Sequence, residues 1–109
     1  MRLLVCGGRD FTNYAVLALA IMRLEPTVII AGAARGADRL AATYARTHGI
    51  TLEEYPADWD QYGKRAGFIR NSQMLTEGKP DMVLAMPGGV GTRMMVEIAT
   101  KAGVPVING

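Results

Sequence analysis

The stretch PGGVGT, Pro87 to Thr92, places three glycines and a threonine at the head of a segment with helical patterning, GTRMMVEIATKAG. Such residues at such spacing hold anions. Glycines let the backbone approach a ligand closely, and the free N–H groups and dipole of a helix start favour negative charge. Thr92 can cap the helix or offer its hydroxyl to a phosphate. Two more turns share this character: GGRDF, with Gly7, Gly8, Arg9 and Asp10, and GAARGAD, with Gly32, Arg35, Gly36 and Asp38. Arginine suits bidentate contact with phosphate. Asp10 and Asp38 suit ribose hydroxyls, or the orientation of Arg9 and Arg35, or plain turn capping. Trp59 in ADWDQYG is the only tryptophan, placed where a base could stack on it or where it packs over the sheet edge.

Several chemistries are excluded. No Gly-Lys-Ser/Thr follows the glycines, so there is no Walker A loop, and neither CGGRDF nor PGGVGT fits GxGxxG. One cysteine and one histidine cannot make a Cys/His zinc site within a chain, and no metal or cofactor is expected. His48 sits at a helix C-terminus, which favours it there, and nothing pairs it with Ser72, the only serine, as a triad.

The elements that must position these turns read in a simple alternation. LLVCGG and TVIIAG are apolar runs ending in glycine, the mark of buried strands that feed turns. Asn13 caps a helix running to about Leu24, and GADRLAATYARTHG is a helix closed by Gly49. ITLEEY is a partly polar strand that belongs at an edge. DWDQYGKRAG is expected to be a loop and KRAGFIRNSQMLTEG a helix ending at Gly78. DMVLAM is another buried strand, followed by the helix after PGGVGT and a short strand, VPVI. The order predicts an α/β, Rossmann-like three-layer sandwich: one domain over residues 1–109, with a mainly parallel five-stranded sheet and helices on both faces. In such sheets ligands bind beyond the carboxyl ends of the strands, where all three glycine turns fall.

The net charge of +2 is too small for wholesale nucleic-acid or membrane binding. Arg9, Arg35, Arg39, Arg65, Arg70 and Arg93 lie in or beside loops, which fits a small anionic ligand, although for any single one a solvated surface is the plainer reading. Cys6 in its apolar run reads as a buried thiol in a reducing compartment. The apolar runs are too short for a signal peptide or a membrane span, so the expected location is cytoplasmic. The first helix, NYAVLALAIMRLE, is apolar on nearly every side. Either it hugs the sheet with small alanines outward or it forms a subunit interface, and a homo-oligomer is expected. Met94 and Met95 are similarly open between core filling and a binding surface.

GGRDF, GAARGADRLAATYA, YPADW, YGKRAGFIRNSQM and PGGVGT, in this order from Val5 to about Val106, resemble the YspA/YpsA-related branch of the SLOG superfamily, named for the Smf/DprA and Lonely-Guy (LOG) proteins. The resemblance implies a Rossmann-like domain whose glycine loops bind nucleotides or their derivatives. Members include phosphoribohydrolases that release a base from a nucleoside monophosphate, the DNA-binding protein DprA, and domains that sense nucleotide signals. The hydrolases carry PGGxGTxxE and a preceding helical arginine, to which Arg70 corresponds. Their glutamate would stand at position 95, where this chain has Met95. Glu97 is no easy substitute, because two residues of helix rotate a side chain by about 200°.

The expected function is therefore recognition, sensing or sequestration of a phosphorylated nucleotide derivative without turnover. Gly7, Gly8, Gly32, Gly36, Gly88, Gly89, Gly91 and Thr92 would form the floor, with Arg9, Arg35 and Arg70 on phosphate. Asp10, Asp38, Trp59, Asn71 and Pro87 complete the expected set. The alternatives are a LOG-like N-glycosidic or phosphoester hydrolase using Arg70 with Asp10 or Asp38, and single-stranded DNA binding by analogy with DprA. The mild charge and the lack of aromatic platforms along a basic groove weigh against the last.

Overall fold

The computed structural model describes residues 1–109. In chain order the elements are β1 (Arg2–Cys6), α1 (Tyr14–Leu24), β2 (Val28–Ala31), α2 (Ala37–Thr47), β3 (Thr51–Glu54), α3 (Trp59–Tyr62), a 3-10 turn (Gly63–Arg65), α4 (Ala66–Gly78), β4 (Met82–Ala85), α5 (Val90–Lys101) and β5 (Val106–Asn108). The five strands form one all-parallel sheet in the order β3-β2-β1-β4-β5.

Alternation along the strands decides the layering, because successive side chains leave opposite faces. Leu3, Val5, Ile29, Ala31 and Leu84 join one buried cluster, to which α1 and α2 add Leu17, Ile21, Ala41, Tyr44 and Ala45. Leu4, Cys6, Ile30, Val83 and Ala85 join the other, to which α4 and α5 add Met74, Met95 and Ala99. Helices thus cover both faces of a Rossmann-like sandwich. β3 lies at an edge, as its polar residues require, and Glu53 and Glu54 pair with Arg2 at 2.6 Å and Arg46 at 3.2 Å.

The chain winds outward from β1 through β2 to β3, then crosses to β4 on the other side of β1. Strand order therefore reverses between β1 and β4, and the segments after these two strands part to leave a crevice. Helix caps mark the same end of the molecule. Asn13 and Asp58 cap α1 and α3 through their side chains, at 3.2 and 3.1 Å. The N-caps of α2, α4 and α5 are Gly36, Arg65 and Gly89, and no side chain bonds to these three starts.

Three readings of the sequence change. DWDQYGKRAG is not a loop: Asp58 initiates the single turn of α3, and the 3-10 turn joins it to α4. Neither short element buries a residue, so the segment carries no apolar periodicity by which to recognise it. Helix α5 starts at Val90 behind Gly89, so Thr92 lies inside its first turn and is not the cap. On α1 only Ala15 of the three alanines lies outward. Ala18 and Ala20 pack toward the core beside Leu17 and Ile21, while Val16, Leu19 and Met22 stand 45%, 42% and 57% exposed. No helix is long and apolar enough to cross a membrane.

Candidate functional site

The segments after β1, β2 and β4 are tied into one surface by backbone hydrogen bonds. The Gly8 N–H donates to the Pro87 carbonyl at 2.8 Å, and the Ala37 and Phe11 N–H groups both donate to the Gly8 carbonyl at 3.2 Å. Gly36 makes this closeness possible. Its φ of +80° is unfavourable for any side chain, and a Cβ there would strike the backbone of Gly8 and Arg9.

Above this surface opens a cavity of about 880 Å³. Its walls come from Cys6 to Asn13 at the end of β1 and after it, from Ala34 and Asp38 at the start of α2, from Trp59 on α3, Lys64 on the 3-10 turn and Gly67, Phe68, Arg70 and Asn71 on α4, and from Pro87 to Thr92. Residues near the starts of α2, α4 and α5 all line it. The first N–H of α2 is taken by the Gly8 carbonyl and that of α4 by the Gly63 carbonyl, so the start of α5 is the helix end that opens into the space. A second cavity of about 350 Å³ adjoins it, lined by Gly32, Ala33, Arg35, Pro56 and Ala57, and it shares Arg9, Ala34, Trp59 and Arg70 with the first.

Arg70 is held from three sides. Its Nε donates to Asn71 Oδ1 at 3.1 Å, and Nη1 donates to the Gly32 carbonyl and, at 3.5 Å, to that of Tyr55. Asn71 is buried and donates from Nδ2 to the Gly91 carbonyl at 3.1 Å, locking α4 to the first turn of α5. Gly32 leaves room for the arrangement, since a Cβ there would lie 2.5 Å from Arg70 Nη1 and 2.9 Å from Asp38 Oδ2. One guanidinium thus links the turns after β2 and β4 through a neighbouring amide.

The electrostatics follow from burial. Desolvation raises the Asp38 carboxyl above the usual range, opposed by the N–H groups of Ala34 and Gly32 and by the charges of Arg70 and Arg9. Burial likewise lowers Arg70, against the pull of Asp38. The Cys6 thiol, buried and facing Asp38's charge, is pushed up to about 12 and stays protonated, so it is no nucleophile at neutral pH. Arg9 lies over the Trp59 ring, 5.4 Å from its centroid, in cation–π contact.

Of the residues expected from the sequence, the larger cavity brings together Gly7, Gly8, Arg9, Asp10, Asp38, Trp59, Arg70, Asn71, Pro87, Gly88, Gly89, Gly91 and Thr92. Gly32 and Arg35 line the smaller one instead, and Gly36 lines neither, being absorbed in the packing of the loops. Asp10 pairs with Arg35 at 3.2 Å, but Asp38 faces Arg70, not Arg35. Trp59 does not pack over the sheet edge; it stands half-exposed between the two cavities. His48 stacks on Tyr44, with ring centroids 4.0 Å apart, and takes no part in either cavity. Arg39, Arg65 and Arg93 are solvated.

Sequence reasoning missed Cys6, Phe11, Thr12, Asn13, Ala34, Lys64, Gly67, Phe68 and Val90 in the lining. Lys64 and Phe68 lie in YGKRAGF, inside a quoted motif; Lys64 fell in the segment read as a loop, which gave it no direction, and Phe68 lay in the predicted helix with no role assigned. Met95 is fully buried against Leu4, Cys6, Ile30 and Met74 and does not line the cavity, while Glu97 is exposed on another side of α5.

The model of the YspA, cpYpsA-related SLOG family matches residues 1–62. "Gene 61 protein" of Mycobacterium phage D29 is 47% identical over an alignment of 119 positions, covering 98% of this chain and 94% of the phage protein. The chain belongs to the YspA, cpYpsA-related SLOG family. Residues 1–62 hold the first two glycine turns and Trp59. Arg70 and PGGVGT lie beyond them, in the part that the alignment with the phage relative spans.

Proposed function

We propose that this SLOG protein is a nucleotide-binding module that recognises or sequesters a phosphorylated nucleotide derivative and does not turn it over. The observation that carries the reading is the composition of the larger cavity. The start of α5, with no side-chain cap, opens there beside the cations Arg9, Lys64 and Arg70, and each favours a bound anion. Thr92, Thr12 and Asn13 offer polar contacts, and Trp59, Phe68 and Val90 offer exposed apolar surface for a base. No cofactor or metal is part of this reading, and neither is a nucleic acid or a membrane.

A hydrolase using Asp38 is the second reading, favoured by its burial-raised carboxyl at the wall of the cavity. Against it, the Asp38 carboxylate already accepts from Ala34 and serves Arg70. Asp10, the other carboxylate of the wall, is exposed and paired with Arg35.

Thermal denaturation across a panel of nucleotides, including cyclic and ADP-ribose-like derivatives, tests the proposal. At one hundred times its dissociation constant a ligand adds about 2.7 kcal/mol of stability. At least one member of the panel is expected to raise Tm clearly. A flat response from folded protein would overturn the binding reading.

We also propose that the chain self-associates through α1. Val16, Leu19 and Met22 recur every third residue on one exposed side of the helix, a contiguous apolar strip of the kind that marks interfaces. Light scattering at micromolar concentration is expected to return a multiple of 11.7 kDa, and Leu19→Lys is expected to return the monomer. A monomeric mass for the unaltered chain would exclude this.

A further inference from the structure

The two cavities are parts of one site. They share Arg9, Ala34, Trp59 and Arg70, and the shared residues form their boundary. Together they exceed what a mononucleotide needs: pockets that enclose a small organic ligand run to roughly 300–1,000 Å³. The larger is about 880 Å³ by itself and the smaller adds about 350 Å³.

The chemistry of the three regions differs. The larger cavity holds the start of α5 and Lys64, with Phe68 and Val90 as exposed apolar surface. The smaller is walled by compact residues, Gly32, Ala33, Pro56 and Ala57, with Arg35, paired to Asp10 at 3.2 Å, as its own cation. Ala33 there is held at φ +61°, a conformation that side chains rarely adopt. At the junction stand two guanidiniums, Arg9 against Trp59 and Arg70 against Gly32. Around both cavities four cations (Arg9, Arg35, Lys64 and Arg70) face two carboxylates, Asp10 and Asp38. That excess equals the whole formal charge of +2.

We infer that the ligand is a nucleoside diphosphate conjugate, in which a pyrophosphate joins a nucleoside to a second sugar-sized group. The nucleoside occupies the larger cavity, the pyrophosphate runs from the start of α5 past Arg9 and Arg70, and the second group fills the smaller cavity. A single phosphate can use the α5 start or the arginine junction. Two linked phosphoryl groups can use both, and only a ligand extended beyond them gains from the compact walls of the smaller cavity. This inference rests on the nucleotide-binding reading above.

Isothermal titration of the intact protein with two matched series tests it: AMP, ADP and ADP-ribose, and GMP, GDP and GDP-mannose. For one of the bases the sugar conjugate is expected to bind at least about tenfold more tightly than the monophosphate, with the diphosphate between them. Ala57→Phe, which fills the smaller cavity, is expected to bring that ratio to within about twofold, and Ala57→Leu to reduce it partway. The comparison on unaltered protein stands even if a filled variant does not fold. A monophosphate that binds as tightly as its conjugate overturns the inference and leaves the nucleotide-binding reading intact. So does a ratio that survives the filling of the smaller cavity in a folded variant. No binding by any of the six compounds overturns the inference, and the nucleotide-binding reading falls with it only if the wider thermal panel is also flat.

Discussion

Arg70→Ala is expected to weaken nucleotide binding by about 2 kcal/mol, roughly thirtyfold, and to destabilise the free protein by about 1–3 kcal/mol. The two effects have separate causes. The binding loss follows from removing a charge-assisted donor at the junction of the cavities, where the guanidinium is partly buried. The stability loss follows from orphaning the carbonyl of Gly32 and the side chain of Asn71, and from leaving buried Asp38 without its nearest cation. The second cause has a pH signature. The folded-state pKa of Asp38 is raised, so between its unfolded and folded values the folded protein holds more protons than the unfolded chain, and stability falls as pH rises through that window. Arg70 is one of the charges that restrain the rise. Without it the window widens upward, and the cost of the substitution becomes larger at neutral pH than at about pH 5. Urea denaturation of both proteins at the two pH values measures this. A cost that does not change with pH would show that Asp38 and Arg70 are not coupled. Arg23→Ala, on the solvated end of α1, is expected to leave binding unchanged; equal losses from both would reduce Arg70 to general surface charge.

Stoichiometric enzyme incubated with the common nucleoside monophosphates is expected to release no free base. N-glycosidic cleavage requires stabilisation of an oxocarbenium-like centre and activation of water, both of which a carboxylate across the sugar can supply. General acid–base assistance of this kind is worth roughly a hundred- to ten-thousand-fold in rate. Position 95 offers a thioether locked in the core between the sheet and α4, and Glu97 faces solvent. Placing a carboxylate at that position does not restore the reaction on this reading. Met95→Glu sets an unpaired charge in an apolar layer and is expected to cost about 3 kcal/mol or more of stability. Chromatography of the reaction mixture decides the point. Free base within minutes from the natural chain would transfer the role to Asp38 or Asp10, and Asp38→Asn and Asp10→Asn would then identify which. A stable, hydrolytic Met95→Glu protein would show that the position opens into the cavity after all.

Much of the architecture was legible because it depends on periodicity and on local conformational limits. Short β-branched runs ending in glycine could only be buried strands feeding turns, and their alternation with amphipathic stretches left a parallel sheet as the economical arrangement. The polar residues of β3 placed it at an edge for the same reason, since a central strand would bury Glu53 and Glu54. The glycine turns were also local: glycines before a helix start, with arginines nearby, are recognisable in one dimension. The loss of a carboxylate at position 95 needed only the spacing of PGGVGT to Met95.

What depends on distance through space was not legible. Nothing in FIRNSQM says that Arg70 reaches the carbonyl of Gly32, or that Asn71 ties it to Gly91, because those partners lie 38 and 20 residues away. Asp38 could be read as a cap or a ribose ligand from its turn alone; its partner became Arg70 only when α4 was laid across the sheet beside β2. Gly36 looked like a ligand contact and proved to be a packing requirement, since the backbone it must avoid comes from Gly8 and Arg9 on another turn. Trp59 and Lys64 were placed by α3 and the 3-10 turn, elements too short to bury a residue and so to leave a pattern. Composition and period therefore determined the layers and the glycine turns. The division of the crevice into two joined cavities, and the guanidiniums at their boundary, were decided by which side chains the sheet order brought within hydrogen-bond reach.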